Sequence, residues 1–144
     1  MPTLTLQPHE TDPAGRDTFI GSSLVANNNF EGWGSLNIGT ASLGKGNQAL
    51  YRTLLHFDLT PLIGATIIDA TLILTAISRT LTSETITAHR LTQPNWTELG
   101  ATWNVYDGAN AWATPGGDFD ATPAQTLVIS SVQDLVFNDL KALV

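Results

Sequence analysis

Tyr51-Arg52-Thr53-Leu54-Leu55-His56-Phe57-Asp58-Leu59 is the stretch on which the fold class turns. Its residues alternate. Tyr51, Thr53, Leu55, Phe57 and Leu59 fall on one side of an extended chain, and Arg52, Leu54, His56 and Asp58 fall on the other. A side-chain period of two is that of a strand, and the first set predicts its core face. The run Ile67 to Ile77 keeps the same period, with Ile68, Ala70, Leu72, Leu74 and Ala76 on one face. Asp69, Thr71 and Thr75 lie opposite, among Ile67, Ile73 and Ile77, so cover on that half-apolar face is an open expectation. Between the two runs, Thr60-Pro61-Leu62-Ile63-Gly64-Ala65 reads as a turn or a single helical turn, with proline early and glycine at the exit.

Outward from this centre, short β-prone runs recur between Gly, Pro, Asn and Asp, the pattern of a sandwich or barrel. Further strands are predicted over Thr3 to Gln7, Thr18 to Val25, Ser35 to Thr40, Leu50 to Leu59, Glu84 to Leu91 and Thr126 to Ser130. Residues 27–34 and the long stretch from Gln93 to Pro123 read as loops, and the second holds three of the four tryptophans. Loops of this kind are where function sits. Lys45, between Gly44 and Gly46, belongs to a flexible loop rather than a phosphate cradle. At the C-terminus, Ser131-Val132-Gln133-Asp134 resembles a capping box. Val132, Leu135, Val136, Leu140, Leu143 and Val144 then fall at helical spacing, which predicts a short amphipathic α-helix docked on the surface.

Composition narrows the function classes. With 144 residues and 42% apolar content, one domain over 1–144 is the default. Cysteine is absent, which removes disulfides and thiolate metal sites. Thirteen acidic against six basic residues give a net charge of −7, which repels a phosphate backbone, so nucleic acid is not an expected partner. Only 13% of residues are charged, while threonine occurs twenty times, suiting strands with hydroxyl-bearing outer faces. Met1 to Glu10 contains neither a basic n-region nor an apolar stretch of seven, so no secretory signal is expected, nor is membrane insertion.

Several blocks occur in a familiar order. Asp17-Thr18-Phe19-Ile20 comes first, then Arg52 to Thr60, then Ile63 to Leu74. His89-Arg90-Leu91-Thr92, Trp96-Thr97-Glu98, Ala101-Thr102-Trp103-Asn104 and Trp112 to Asp120 follow. Together, over about residues 12 to 136, they are similar to the disaggregatase-related (DNRLRE) domain family, although the six-letter string of that name does not occur here. The resemblance implies a jelly-roll β-sandwich like those of carbohydrate-binding modules. Such domains serve in secreted and cell-surface polysaccharide-active proteins and in phage virions, with no reaction of their own. It also implies one more strand after the segment matching Ile129 to Val136. The predicted C-terminal helix either replaces that strand or leaves an edge for another chain to complete.

No catalytic constellation stands out. His9, His56 and His89 lack metal-ligand spacing, and no Gly-x-Ser-x-Gly elbow or phosphate loop occurs. Glu98 and Asp118 can be nominated as a glycosidase pair, but nothing selects them over the other acids. Asp118 and Asp120 would point to one side of an extended segment, where they could hold a structural calcium with backbone carbonyls, or else cap turns in a solvated loop. Trp33, beside Asn29 and Glu31, and Trp112, beside Asn110, are the candidate sugar-stacking platforms. Trp96 and Trp103 read as packing residues.

Two functions follow. The first and preferred is a bacteriophage virion structural protein, a head-decorating or tail-associated subunit assembling with itself and other virion subunits, and able to meet a surface glycan. The alternative is a carbohydrate-binding module of a secreted or cell-surface polysaccharide-active protein.

Overall fold

Seven strands and three short 3-10 turns make up the regular structure of the computed structural model, which describes residues 2–8, 14–78 and 83–144. The chain is all-β, and every strand pairing is antiparallel. Contacts divide it into two compact units. One comprises residues 1–63 and 93–118, the other residues 64–92 and 119–144.

The first unit is built on a three-stranded sheet, β1 (Arg16–Gly21), β3 (Asn47–His56) and β2 (Gly39–Gly44), with β3 in the middle. The segment 44–46 expected to be a flexible loop is instead the tight hairpin between β2 and β3. Lys45 and Gly46 both have positive φ, 51° and 80°, the primed turn whose twist matches that of the flanking strands. The alternation centred on Tyr51 is real, but the face assignment needs correcting. Register sets Phe19 opposite Thr53 and Thr18 opposite Leu54. Thr18, Phe19 and Ile20 are nonetheless all at most 2% exposed, so both faces of the β1–β3 ladder are covered. On one face Phe19 stacks on Phe30, with ring centroids 4.3 Å apart, and both meet Tyr51 edge-on. On the other, Leu54 is buried, while Leu55 of the expected core face is only half-buried.

The segment 93–118 covers that second face. The Arg16 guanidinium lies 4.8 Å from the Trp96 ring centre and donates to the Trp96 carbonyl, and Arg52 lies 4.9 Å from Trp103 and donates to the Gly116 carbonyl at 2.6 Å. Stacked guanidinium groups explain how a face marked by two arginines is covered: the flat cation and its aliphatic stem both pack on indole. A long loop by composition, the segment is closely knit by its own hydrogen bonds, from Thr97 N to Tyr106 O through Gly116 N to Trp103 O. A Cβ at Gly100 would come within 2.2 Å of the Asp107 backbone, so only glycine allows this crossing. Asp107 closes the next turn by accepting from the backbone N–H groups of Ala109 and Asn110 and from the Asn110 amide.

The second unit has two strand pairs, β4 (Leu72–Thr75) with β7 (Asp134–Phe137) and β5 (Glu84–Ala88) with β6 (Gln125–Ile129). Its core is Ile86, Leu135, Phe137 and Leu140, packed by Ala70, Leu72, Leu74, Ala76, Leu127 and Ile129 among others, so the expected inner face of the Ile67 to Ile77 run is the packed one apart from exposed Ile68. Its other face is not covered, with Ile73 and Ile77 exposed. The expected C-terminal α-helix is absent: β7 and a 3-10 turn at Lys141–Leu143 occupy that segment. The helical stripe omitted Phe137. Leu135 and Phe137 point inward between outward Asp134 and Val136, a period of two that pairing with β4 satisfies, and Asp139 at φ 55° then turns the chain out of the strand. Thr3 to Gln7 forms no strand, and His9 lies outside the described residues.

Truncating either covered layer should be costly. Leu54→Ala and Phe137→Ala are each expected to lose about 2–5 kcal/mol in urea unfolding, against under about 0.5 kcal/mol for Ile73→Thr on the exposed face; equal losses at Leu54 and Ile73 would refute the two-faced burial of β3. The hydrogen bonds from Asn110, backbone first and then side chain, hold the Asp107 carboxylate below the usual carboxylate range. Its contribution to stability is therefore present above the ordinary carboxylate value and lost as pH falls through the lowered one. An NMR titration should find the Asp107 midpoint below those of unconstrained aspartates, and Asn110→Ala should move it part of the way back.

Candidate functional site

Three pieces of the first unit meet around an open cleft of about 260 Å³. β1 supplies Asp17 and Thr18, the segment after it supplies Phe30, Glu31, Gly32, Trp33, Ser35 and Leu36, and the 93–118 segment supplies Glu98. Asn29 fixes the middle piece. Its Oδ1 accepts from the Glu31 N–H, an Asx turn, while its Nδ2 donates to the carbonyls of Glu98 and Ala101, both at 2.8 Å. A second tether runs from Asn104 Nδ2 to Asn27 Oδ1 at 2.7 Å. Gly32, at φ 78°, then carries the turn that the Trp33 N–H closes on the Phe30 carbonyl. Glu98 is held in turn, its Oε1 accepting from the Asp17 N–H at 2.9 Å.

The turn delivers an indole to the rim. Trp33 meets Phe19 and Phe30 at nearly right angles, with centroids 5.8 and 5.5 Å away, and it remains 62% exposed. The cleft thus joins an aromatic surface, seated on a buried aromatic pair, to three carboxylates and small polar groups. Such a mixture can stack on the C–H face of a sugar and accept hydrogen bonds from its hydroxyls. Asp17, Phe30 and Glu98 were not expected as a group with Trp33. Asp17 and Glu98 each lie in a block that carries the family resemblance, but only the β1 register and the Asn29 tethers bring those blocks together.

The other expected site residues fall elsewhere. Trp112 is 3% exposed, donates its Nε1 proton to the Thr102 carbonyl at 2.9 Å and packs on Tyr106, so the expectation of a platform there is corrected: a ring buried to satisfy its N–H has no face to offer. Asn29 builds the cleft without lining it, and Asn110 is bound to Asp107 away from it. Trp96 is buried and Trp103 carries Arg52, the packing roles expected of them. Asp118 accepts from the N–H groups of Ala113 and Thr114, one on each oxygen, and Asp120 Oδ1 accepts from the Thr122 N–H. Both therefore cap turns, and the described residues contain no group of three or more His, Asp or Glu able to hold a metal ion. His89 bonds to the Asp120 carbonyl and the Thr87 hydroxyl.

Among the described residues no helix is long and apolar enough to cross a membrane. No curated protein and no solved structure matches the chain. One family model does match, that of carbohydrate-binding module family 96, over residues 8–115. The matched span includes every residue lining the cleft and ends before Asp118 and Asp120. It favours the binding module that the sequence offered as its alternative, and nothing in it speaks for a virion subunit. By a match over most of its length, the chain belongs to carbohydrate-binding module family 96.

Proposed function

We propose that this chain is a non-catalytic module that holds a glycan in the Trp33 cleft, and that it works outside the cell, attached to or alongside a polysaccharide-active protein. The observation that carries the reading is the contrast among the tryptophans: Trp96 and Trp112 are built into the unit, Trp103 carries Arg52, and Trp33 alone is mostly exposed. An indole held at the rim by a glycine turn and two tethers loses little freedom when a sugar stacks on it, so most of the contact energy appears as affinity. Asp17, Glu31 and Glu98 line the same cleft, within reach of the hydroxyls of a ring stacked there. The family match supports this binding reading rather than the virion role.

Trp33→Ala should weaken retention on a glycan array or in an affinity gel about tenfold or more, roughly 1.4 kcal/mol, with an unchanged melting temperature. Trp112→Ala should instead destabilise the domain by about 3–5 kcal/mol. Full retention by the folded Trp33 variant would defeat the reading.

A further inference from the structure

Asn95-Trp96-Thr97 has no part in lining the cleft. Of the nine asparagines in the chain, Asn95 alone has a threonine or serine two residues on, with a residue other than proline between. The fold fixes the backbone of this tripeptide and leaves its two polar side chains outside. Asn95 sits exposed in a turn, where its N–H donates to Gln93 Oε1 at 3.1 Å. Arg16 holds the chain on both sides of it, donating to the carbonyls of Pro94 and Trp96 while its guanidinium covers the buried Trp96 ring. Thr97 is exposed as well, its N–H given to the Tyr106 carbonyl and its own carbonyl receiving the Ala101 N–H. The Asn29, Asn104 and Asn110 amides are spent on hydrogen bonds that knit loops together. Among the described residues, the Asn95 amide and the Thr97 hydroxyl bond to nothing.

Resting on the placement outside the cell proposed above, we infer that Asn95 is a modification site, the acceptor of an N-linked glycan during secretion. The donor is a lipid diphosphate-linked oligosaccharide. Asn95 Nδ2 forms a bond to the anomeric carbon as the bond from that carbon to the diphosphate oxygen breaks; the lipid diphosphate leaves with the electron pair, and Nδ2 gives up one proton. The Thr97 hydroxyl, two residues on, is what marks this amide for the transferase. A glycan is bulky and solubilising, so a folded domain carries one only where the acceptor points to solvent. Asn95 meets that condition: the attached sugar breaks no hydrogen bond and displaces no packed side chain, because Trp96 and the backbone carry the anchoring.

The test secretes the full chain from a eukaryotic host behind a cleavable leader and weighs it intact before and after treatment with a peptide N-glycosidase. A single glycan should appear, removed by the enzyme with conversion of Asn95 to aspartate. It should be lost in Asn95→Gln and in Thr97→Ala and kept in Thr97→Ser, with one melting temperature shared by all four proteins, since both positions are exposed. Secreted, folded chain without a glycan would overturn the assignment, as would a glycan that survives Asn95→Gln. Retention of the same samples in an affinity gel, beside Trp33→Ala, reads the cleft separately. Modified Asn95 with retention indifferent to Trp33 would sink the cleft and leave the acceptor standing; unmodified Asn95 with retention that depends on Trp33 would do the reverse.

Discussion

The β1–β3 ladder, covered on both faces, is the constraint on which the first unit depends. A strand with one wet face can tolerate a sliding partner or a mobile loop, whereas one covered on both sides fixes what lies above and below it. On one side the ladder fixes Phe19, and through it Phe30, Tyr51 and Trp33. On the other, Arg16 and Arg52 fix the 93–118 segment through Trp96 and Trp103. The Trp33 cleft and its supporting loop are thus positioned by opposite faces of the same two strands. Ladder hydrogen bonds alone would not achieve this, since they set register but not the placement of loops.

The tethers at Asn27 and Asn29 convert that scaffold into a site. An Asn amide that both accepts from its own turn and donates to two carbonyls about seventy residues away links local and distant chain at one point. Its two donated bonds are half-buried, where the net worth of a hydrogen bond is about 1 kcal/mol and leaving a carbonyl unsatisfied costs more. Rigidity gained this way lies next to Trp33 rather than in it, so the ring can stay exposed without the turn beneath it being loose. Glu98 belongs to the same arrangement, receiving Asn29 at its carbonyl and the Asp17 N–H at its carboxylate.

Period-two alternation made the strands legible in the sequence, and it located β3, β5 and β6 to within about three residues, whereas β4 takes only four residues of the longer run from Ile67 to Ile77. It could not say whether a face bearing Arg52 and His56 is wet or covered, because the answer lies with Trp103, far along the chain. The C-terminal segment failed for a different reason. Val132, Leu135, Val136 and Leu140 fit a helical wheel, yet Leu135 and Phe137 fit a strand equally well, and the edge of β4 decides between them. Four residues are too few for periodicity to choose. The tryptophans show the same limit at the site: Trp33 and Trp112 both sit beside asparagine, glycine or alanine in loops, and only the Thr102 carbonyl that receives the Trp112 N–H separates them.

The size of the cleft sets what such a module can do by itself. At about 260 Å³ and open to solvent, it lies just below the range of pockets that enclose a drug-sized ligand. On the proposed reading, one exposed ring and a few acceptors cover only a short stretch of a polymer, and the binding energy at any one stretch is correspondingly small. A polysaccharide, however, repeats that stretch along its whole length. A module released from one register meets the next at high local concentration, and linkage to a second binding element multiplies retention without any new contact at the cleft. A shallow, preorganised site of this kind suits the proposed role, since it lets a module move along a polymer chain, which a deep enclosing pocket would prevent.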